Sequence, residues 1–204
     1  MTDLEFVPEP PKSPPKPGVV VLGRFQPVHL GHEYMLESAA KWRDENIPNA
    51  NLIIAIGSSN RPQNLLNPWS HQERAEMIQF WLKSKSIEDI HICPIPDIED
   101  PPNWVKHASQ YHGSAGVIVT TDLSTSELYL AAGWKVVLLP LDQRERFEGW
   151  RVRETARMLS TIGDEAAIRE VLGTLVPMAV VNHLIESNGL HRLAFMGEGG
   201  EPVG

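Results

Sequence analysis

Cysteine is nearly missing from this chain. Cys93, inside "IHICPI", is the only one in 204 residues. A disulfide framework within the chain is therefore excluded, and the reducing cytoplasm is the expected compartment. Cys93 itself reads as a small buried hydrophobe in a strand. Long apolar runs are also missing. None approaches the ~20 residues a membrane-spanning helix needs, so no membrane is expected as partner. The first residues are acidic and proline-rich, without the apolar centre of a secretory signal. Positive charge is in deficit, with 18 Lys and Arg against 26 Asp and Glu and a net charge of −8. Nucleic acid is accordingly not an expected partner, because a polyphosphate backbone selects a basic surface. A nucleotide-sized ligand needs only a few local cations and stays open. No internal repeat is visible, and no GK[ST] follows a glycine-rich turn, so the chain carries no P-loop.

What is present suits one globular domain: 204 residues, of which 42% are hydrophobic. Residues 1–17 are set apart by six prolines and read as an extended or disordered tail. Their "PKSPPKP" fits a polyproline-reading groove, though a solvated leader is the simpler reading. Residues 18–190 form the expected domain, and 191–204 a flexible C-terminal tail.

Inside the domain, short apolar runs at 19–22, 52–56, 90–95, 117–120 and 135–139 read as strands. They alternate with helical patterns at 31–44, 71–83, 103–111 and 124–132. Helices at 151–160, 165–172 and 176–186 follow. "STSE" at 124–127 is a possible capping box, and Gly133 a plausible stop for the same helix. Alternation of this kind predicts an α/β fold: a Rossmann-like, doubly wound parallel sheet of about five strands, helices on both faces, and a C-terminal helical segment. Ligands of such sheets sit beyond the carboxyl ends of the strands.

The first strand ends in "VVVLGRFQPVHLGHEYM". Gly23 and Gly31 let backbone come close to a ligand, and a helix N-terminus offers N–H groups to an anion. His29 and His32, three apart, can face one bound group. Each imidazole donates hydrogen bonds and, if protonated, adds charge for a polyphosphate. Arg24 adds a planar cation suited to phosphate. Two histidines with no Cys or carboxylate at ligand spacing make a poor metal set, so no resident metal is expected. The scattered histidines at 71, 91, 107, 112, 183 and 191 read as structural.

"GRFQPVHLGH" resembles the HxGH signature of the nucleotidylyltransferase superfamily. In this ten-residue form it resembles the nicotinamide mononucleotide adenylyltransferases of archaeal type, also found as a domain in some bacterial bifunctional proteins. "NPWSHQER", "PIPDIEDPPNWVKH", "GWKVVLLP", "RERFEGWRVRETARML" and "LVPMAVVNHLIE" resemble further blocks of that family in its order. The resemblance covers roughly residues 18–190. It implies adenylyl transfer from ATP, with Mg²⁺, to nicotinamide mononucleotide, giving NAD and pyrophosphate. It implies that Gly23, Arg24, Phe25, Gln26, His29, Gly31, His32, Gly149, Arg151 and Arg153 bind ATP, with His29, His32 and Arg153 catalytic. Trp104, with Asn103 beside it, is implied to stack on the cationic nicotinamide ring, a sound match for an aromatic face. Relatives of this type are often homo-oligomers.

Three positions depart from the family pattern. Glu148 and Trp150 stand where its late phosphate motif has hydroxyls, while Gly149 and Arg153 match. Leu66 stands where an arginine is usual, with Arg61 five residues earlier as a possible substitute. The Glu148 carboxylate repels phosphate. Two alternatives stay open: a related nucleotidylyltransferase with another phosphate acceptor, and a nucleotide-binding module with little catalysis.

Overall fold

A computed structural model describes residues 5–140 and 147–196. Residues 144–146 of the quoted phosphate block and 197–204 of the C-terminal tail lie outside the described residues. The chain forms two compact units: Met1–Arg24, Tyr34–Arg61 and Ile87–Leu141 in the first, Phe25–Glu33, Pro62–Ser86 and Asp142–Gly204 in the second.

The first unit holds the sheet. Strands β1 (Val19–Gly23), β2 (Leu52–Ile56), β3 (Ile90–Pro94), β4 (Val117–Thr120) and β5 (Lys135–Leu138) lie in the order β3-β2-β1-β4-β5. Every pairing is parallel, from Val19 against Leu52 to Thr120 against Leu138. The order reverses at β1, so its carboxyl end is the topological switch point. Runs of Val and Ile form these strands because β-branched side chains suit a pleated, doubly buried surface. Val20, Ile53, Ala55, Cys93 and Ile118 pack with Val105, Ala108 and Tyr111 of α3 (Trp104–His112) and Tyr129 of α4 (Leu123–Ala131). The alternate residues Val19, Val21 and Ile54 are equally buried, so the sheet is covered on both faces.

Some local expectations shift. The α4 cap is Asp122, whose carboxylate accepts from the Thr125 N–H at 2.8 Å, not a capping box from "STSE". Asp122, two residues before Ser124, starts the helix earlier, and Ser126 is buried within it. Gly133 follows the helix with φ of +80°, as a helix stop requires. A 3₁₀ turn, Pro101–Asn103, precedes α3. Residues of the proline-rich segment run without regular structure along this unit, where Tyr111 Oη donates to Pro8 O at 3.0 Å and Asn60 Nδ2 to Glu5 O at 3.0 Å.

In the second unit, α2 (His71–Lys85) opens with a full capping box: Ser70 Oγ accepts from the Glu73 N–H, and Glu73 Oε2 from the Ser70 N–H. Helices α5 (Gly149–Leu159), α6 (Glu165–Leu172) and α7 (Met178–Glu186) complete it. Helix α7 starts two residues later than the pattern predicts because Pro177 is its cap. His191–Phe195 form a 3₁₀ turn, and Arg192 pairs with Glu73 of α2. Helix α1 (Leu30–Asn46) begins in this unit's Phe25–Glu33 segment. No described helix is long and apolar enough to cross a membrane.

His112 and Tyr129 form a buried polar pair in the first unit, His112 Nε2 to Tyr129 Oη at 2.8 Å, edge-on to Trp134. Burial lowers the His112 pKa to about 4. Tyr129→Phe removes the ring's partner and leaves a buried imidazole nitrogen unsatisfied. A loss of about 1–3 kcal/mol is expected in urea unfolding, with the slope unchanged.

Candidate active site

The segment Phe25–Glu33 is built by its neighbours in the second unit. Phe25 is fully buried at a φ of +51°, a left-handed conformation that a bulky residue adopts only when its surroundings impose it. Its ring lies 4.6 Å from that of His32. Both ends of the buried Gln26 amide are satisfied by Trp69: Nε2 donates to Trp69 O at 2.7 Å and Oε1 accepts from the Trp69 N–H at 3.1 Å. The Trp69 indole in turn donates to Gly189 O at 3.1 Å. Arg153 Nη1, from α5, donates to Gln26 O at 3.1 Å.

The two histidines are coupled through the start of α1. His29 immediately precedes the first helical residue, Leu30. Its carbonyl accepts from the Glu33 N–H at 2.9 Å, the first turn's helical bond. Its Nδ1 accepts from the His32 N–H at 3.4 Å, and His32 Nδ1 accepts from the His29 N–H at 3.3 Å. This is the reciprocal geometry of a capping box, with imidazoles in place of Ser and Glu. It explains the spacing of three, and it stacks the rings, with centroids 3.7 Å apart and planes at 28°. Gly31 fits closely between them: a Cβ there would lie 3.1 Å from His29 Cε1 and 3.0 Å from Phe147 Cβ, so a neighbour would have to give.

That box points to one tautomer for the rings. A nitrogen accepting a hydrogen bond carries no proton, so Nδ1 of each ring is bare and Nε2–H is the donor each presents. His29 is 8% exposed. Burial, and secondarily the Arg153 guanidinium, lowers its pKa to about 4. At neutral pH His29 is therefore a neutral donor and not the cation that a protonated ring would supply.

Helix α5 places the departing residues. Glu148 is its N-cap without a side-chain cap bond. The Glu148 carboxylate instead accepts from the exposed Trp150 indole at 2.6 Å and lies 3.5 Å from Arg151 Nε. Arg151 also lies 4.6 Å over the Trp150 ring. Trp150, Leu65, Leu66, Arg153, Glu154 and Arg157 line a common cavity. Gly149 lies beside the Arg153 guanidinium, where a Cβ would sit 3.0 Å from Nη1. Thus Phe25, Gln26, His29, Gly31, His32, Gly149 and Arg153 come together in this unit, and Arg151 turns toward Glu148.

The remaining expected residues belong to the first unit. Gly23 closes β1 and Arg24 is exposed beside it. Trp104 is half-buried at the start of α3, and the exposed Asn103 donates to Asp100 at 2.7 Å. Arg61 is bound by carboxylates, Asp97 at 2.7 Å and Glu99 at 3.0 Å, and their hydrogen bonds raise its pKa. That pairing argues against its standing in for an arginine at position 66.

The sequence alone assigns no role to the residues of "NPWSHQER". The block supplies Trp69 to Gln26, and it holds Asn67, whose buried Oδ1 has no hydrogen-bond partner. The available signal was Gln26, since a buried primary amide demands a partner at each end. Among the described residues no group of three or more His, Cys, Asp or Glu could hold a metal ion.

The sequence profile of the cytidylyltransferase-like family matches residues 20–161. The chain is 32% identical over 173 residues to the nicotinamide-nucleotide adenylyltransferase of Saccharolobus solfataricus, covering 84% of this chain and 91% of that one. It is 31% identical over 173 residues to the enzyme of the same name from Pyrococcus horikoshii, covering 84% of each. A solved structure, a bifunctional NMN adenylyltransferase/ADP ribose pyrophosphatase of Francisella tularensis complexed with AMP and manganese, has a similar fold. Its TM-score is 0.59 at 19% identity, over 87% of this chain and 52% of that one. The present chain thus spans about half of that protein.

The site geometry predicts that Arg153→Met raises the His29 midpoint, followed as a histidine ring titration by NMR. The rise falls short of the ordinary value near 6.5, because burial is the larger cause and persists. The sign follows from neutral His29 being favoured by a nearby cation. An unmoved midpoint contradicts the Arg153 contribution.

Proposed function

The chain belongs to the cytidylyltransferase-like family, among its nicotinamide-nucleotide adenylyltransferases, and we propose that it transfers the adenylyl group of ATP to nicotinamide mononucleotide, giving NAD and pyrophosphate. The observation that carries this reading is the pair of stacked imidazoles, each accepting the other's backbone N–H at Nδ1, beside the buried Arg153, inside "GRFQPVHLGH".

An oxygen of the mononucleotide phosphate attacks the α-phosphorus of ATP. The new P–O bond forms as the bond to the β-phosphate bridging oxygen breaks, and pyrophosphate carries the electron pair away. The attacking phosphate is already ionised at neutral pH and needs no general base. Positioning and charge stabilisation supply the catalysis. His29 and His32 donate Nε2–H to phosphate oxygens, and Arg153 supplies the permanent charge. Phe25 and Gln26 hold that segment, while Gly31 and Gly149 leave room for the ATP phosphates. Gly23 and Arg24 are assigned to ATP as well, and Arg151 reaches it on release from Glu148. Asn103 and Trp104 are assigned to the nicotinamide ring, whose positive charge suits the indole face. A divalent ion such as Mg²⁺, accompanying ATP, would offset charge on the phosphates. The cytoplasm, from the single cysteine, and a homo-oligomer, from the family, complete the reading.

The Glu148–Trp150–Arg151 cluster favours a second reading, a nucleotide-binding module with little turnover, because a carboxylate occupies the start of α5.

A coupled assay separates them: protein, ATP, Mg²⁺ and nicotinamide mononucleotide, with NAD read through alcohol dehydrogenase. NAD formation is expected. His29→Ser with His32→Gln restores a conventional capping box and removes both ring donors. The double variant keeps its melting temperature and loses on the order of 10² or more in kcat. Silence from the parent protein with ATP binding retained supports the module instead.

A further inference from the structure

Glu33 follows the second histidine and is not among the residues assigned to substrate. It is the fourth residue of α1, and its backbone closes the helical bond to His29 O. Its side chain, 18% exposed, does not face open solvent. Glu33 Oε1 accepts from the indole Nε1 of Trp81 at 2.9 Å and lies 2.9 Å from Lys85 Nζ. Both partners come from the last turns of α2, and Trp81 is fully buried.

The same structural stretch that ends in Trp81 and Lys85 begins with Trp69, which holds Gln26. Two attachments therefore bracket the histidines: Gln26 to Trp69 before them, and Glu33 to Trp81 and Lys85 after them. Between the two lie only residues 27–32. A third bond, Leu30 N–H to Leu175 O at 2.8 Å, braces the middle. Rotation of the first turn of α1 about its axis would carry both imidazoles with it, because the reciprocal box ties them to that turn. A carboxylate anchored at two points, one a buried N–H, resists this rotation in a way that an apolar residue sliding on Trp81 would not.

We propose that Glu33 is a positioning residue for the His29–His32 pair, acting through Trp81 and Lys85 and touching no substrate. The proposal rests on Phe25–Glu33 being the catalytic segment, and it makes α2 a rail along which that segment is registered.

The experiment compares Glu33→Ala, Glu33→Gln and Trp81→Phe by kcat and KM for each substrate, and by NMR of the histidine rings without substrate. Glu33→Ala is expected to lower kcat about tenfold or more with KM for ATP moving less than about twofold, and to shift the ring resonances of both histidines. Glu33→Gln keeps an acceptor for the indole and recovers most of kcat. Trp81→Phe, which deletes only the N–H donor in a ring of similar shape, moves the same quantities in the same direction. A purely structural Glu33 would lower the melting temperature and leave kcat and the ring resonances where they were, which overturns the proposal. Equal losses in Glu33→Gln and Glu33→Ala overturn it too. Should the parent protein form no NAD, the ring resonances decide: shifted rings keep the positioning role and discard only the reaction, and unshifted rings discard the positioning role.

Discussion

Two backbone N–H groups and two imidazole nitrogens at the start of α1 hold the candidate site in its form. His29 and His32 each accept the other's N–H, so the helix start and the ring geometry are one object. An ordinary capping box satisfies helix-end donors with side chains that have nothing further to give. Imidazole differs because it has a second nitrogen. Binding at Nδ1 fixes the proton on Nε2, across the ring, so capping the helix and presenting a donor are achieved by one contact. Desolvation then keeps His29 neutral. The permanent charge comes from Arg153, whose guanidinium reaches the Gln26 carbonyl from another helix.

This arrangement divides labour in a way that suits phosphoryl chemistry. A neutral His29 donates a hydrogen bond without changing charge as the reaction proceeds, while the arginine supplies field. The departures at Glu148 and Trp150 are locally compensated: the carboxylate is hydrogen-bonded to the indole and lies beside Arg151. Its charge therefore meets a cation before it meets a ligand. A phosphate approaching α5 competes for that same arginine.

Much of the fold was legible. Solid Val and Ile runs such as "VVVL" and "LIIAI" mark strands buried on both faces, and all five strands lie where those runs predict, within a residue at their ends. The "HLGH" spacing announced a site because two histidines and a glycine at a strand-to-helix turn have few other uses. The contacts that shape it were not legible, since they join residues distant in sequence. Arg153 and Gln26 are 127 positions apart, and Trp81 and Glu33 are 48 apart. Local chemistry misled at α4, where Asp122 and "STSE" compete for one helix start and the carboxylate wins. Nor does composition reveal that Arg61 is bound by Asp97 and Glu99, a matter of how the loops after β2 and β3 meet.

The most direct measurement is the protonation of the two rings, read by long-range ¹H–¹⁵N correlation on the full chain at neutral pH. Both His29 and His32 should show a bare Nδ1 and a protonated Nε2. A proton on Nδ1 of either ring, or a doubly protonated His29, would contradict the reciprocal box and the neutral-donor role that follows from it.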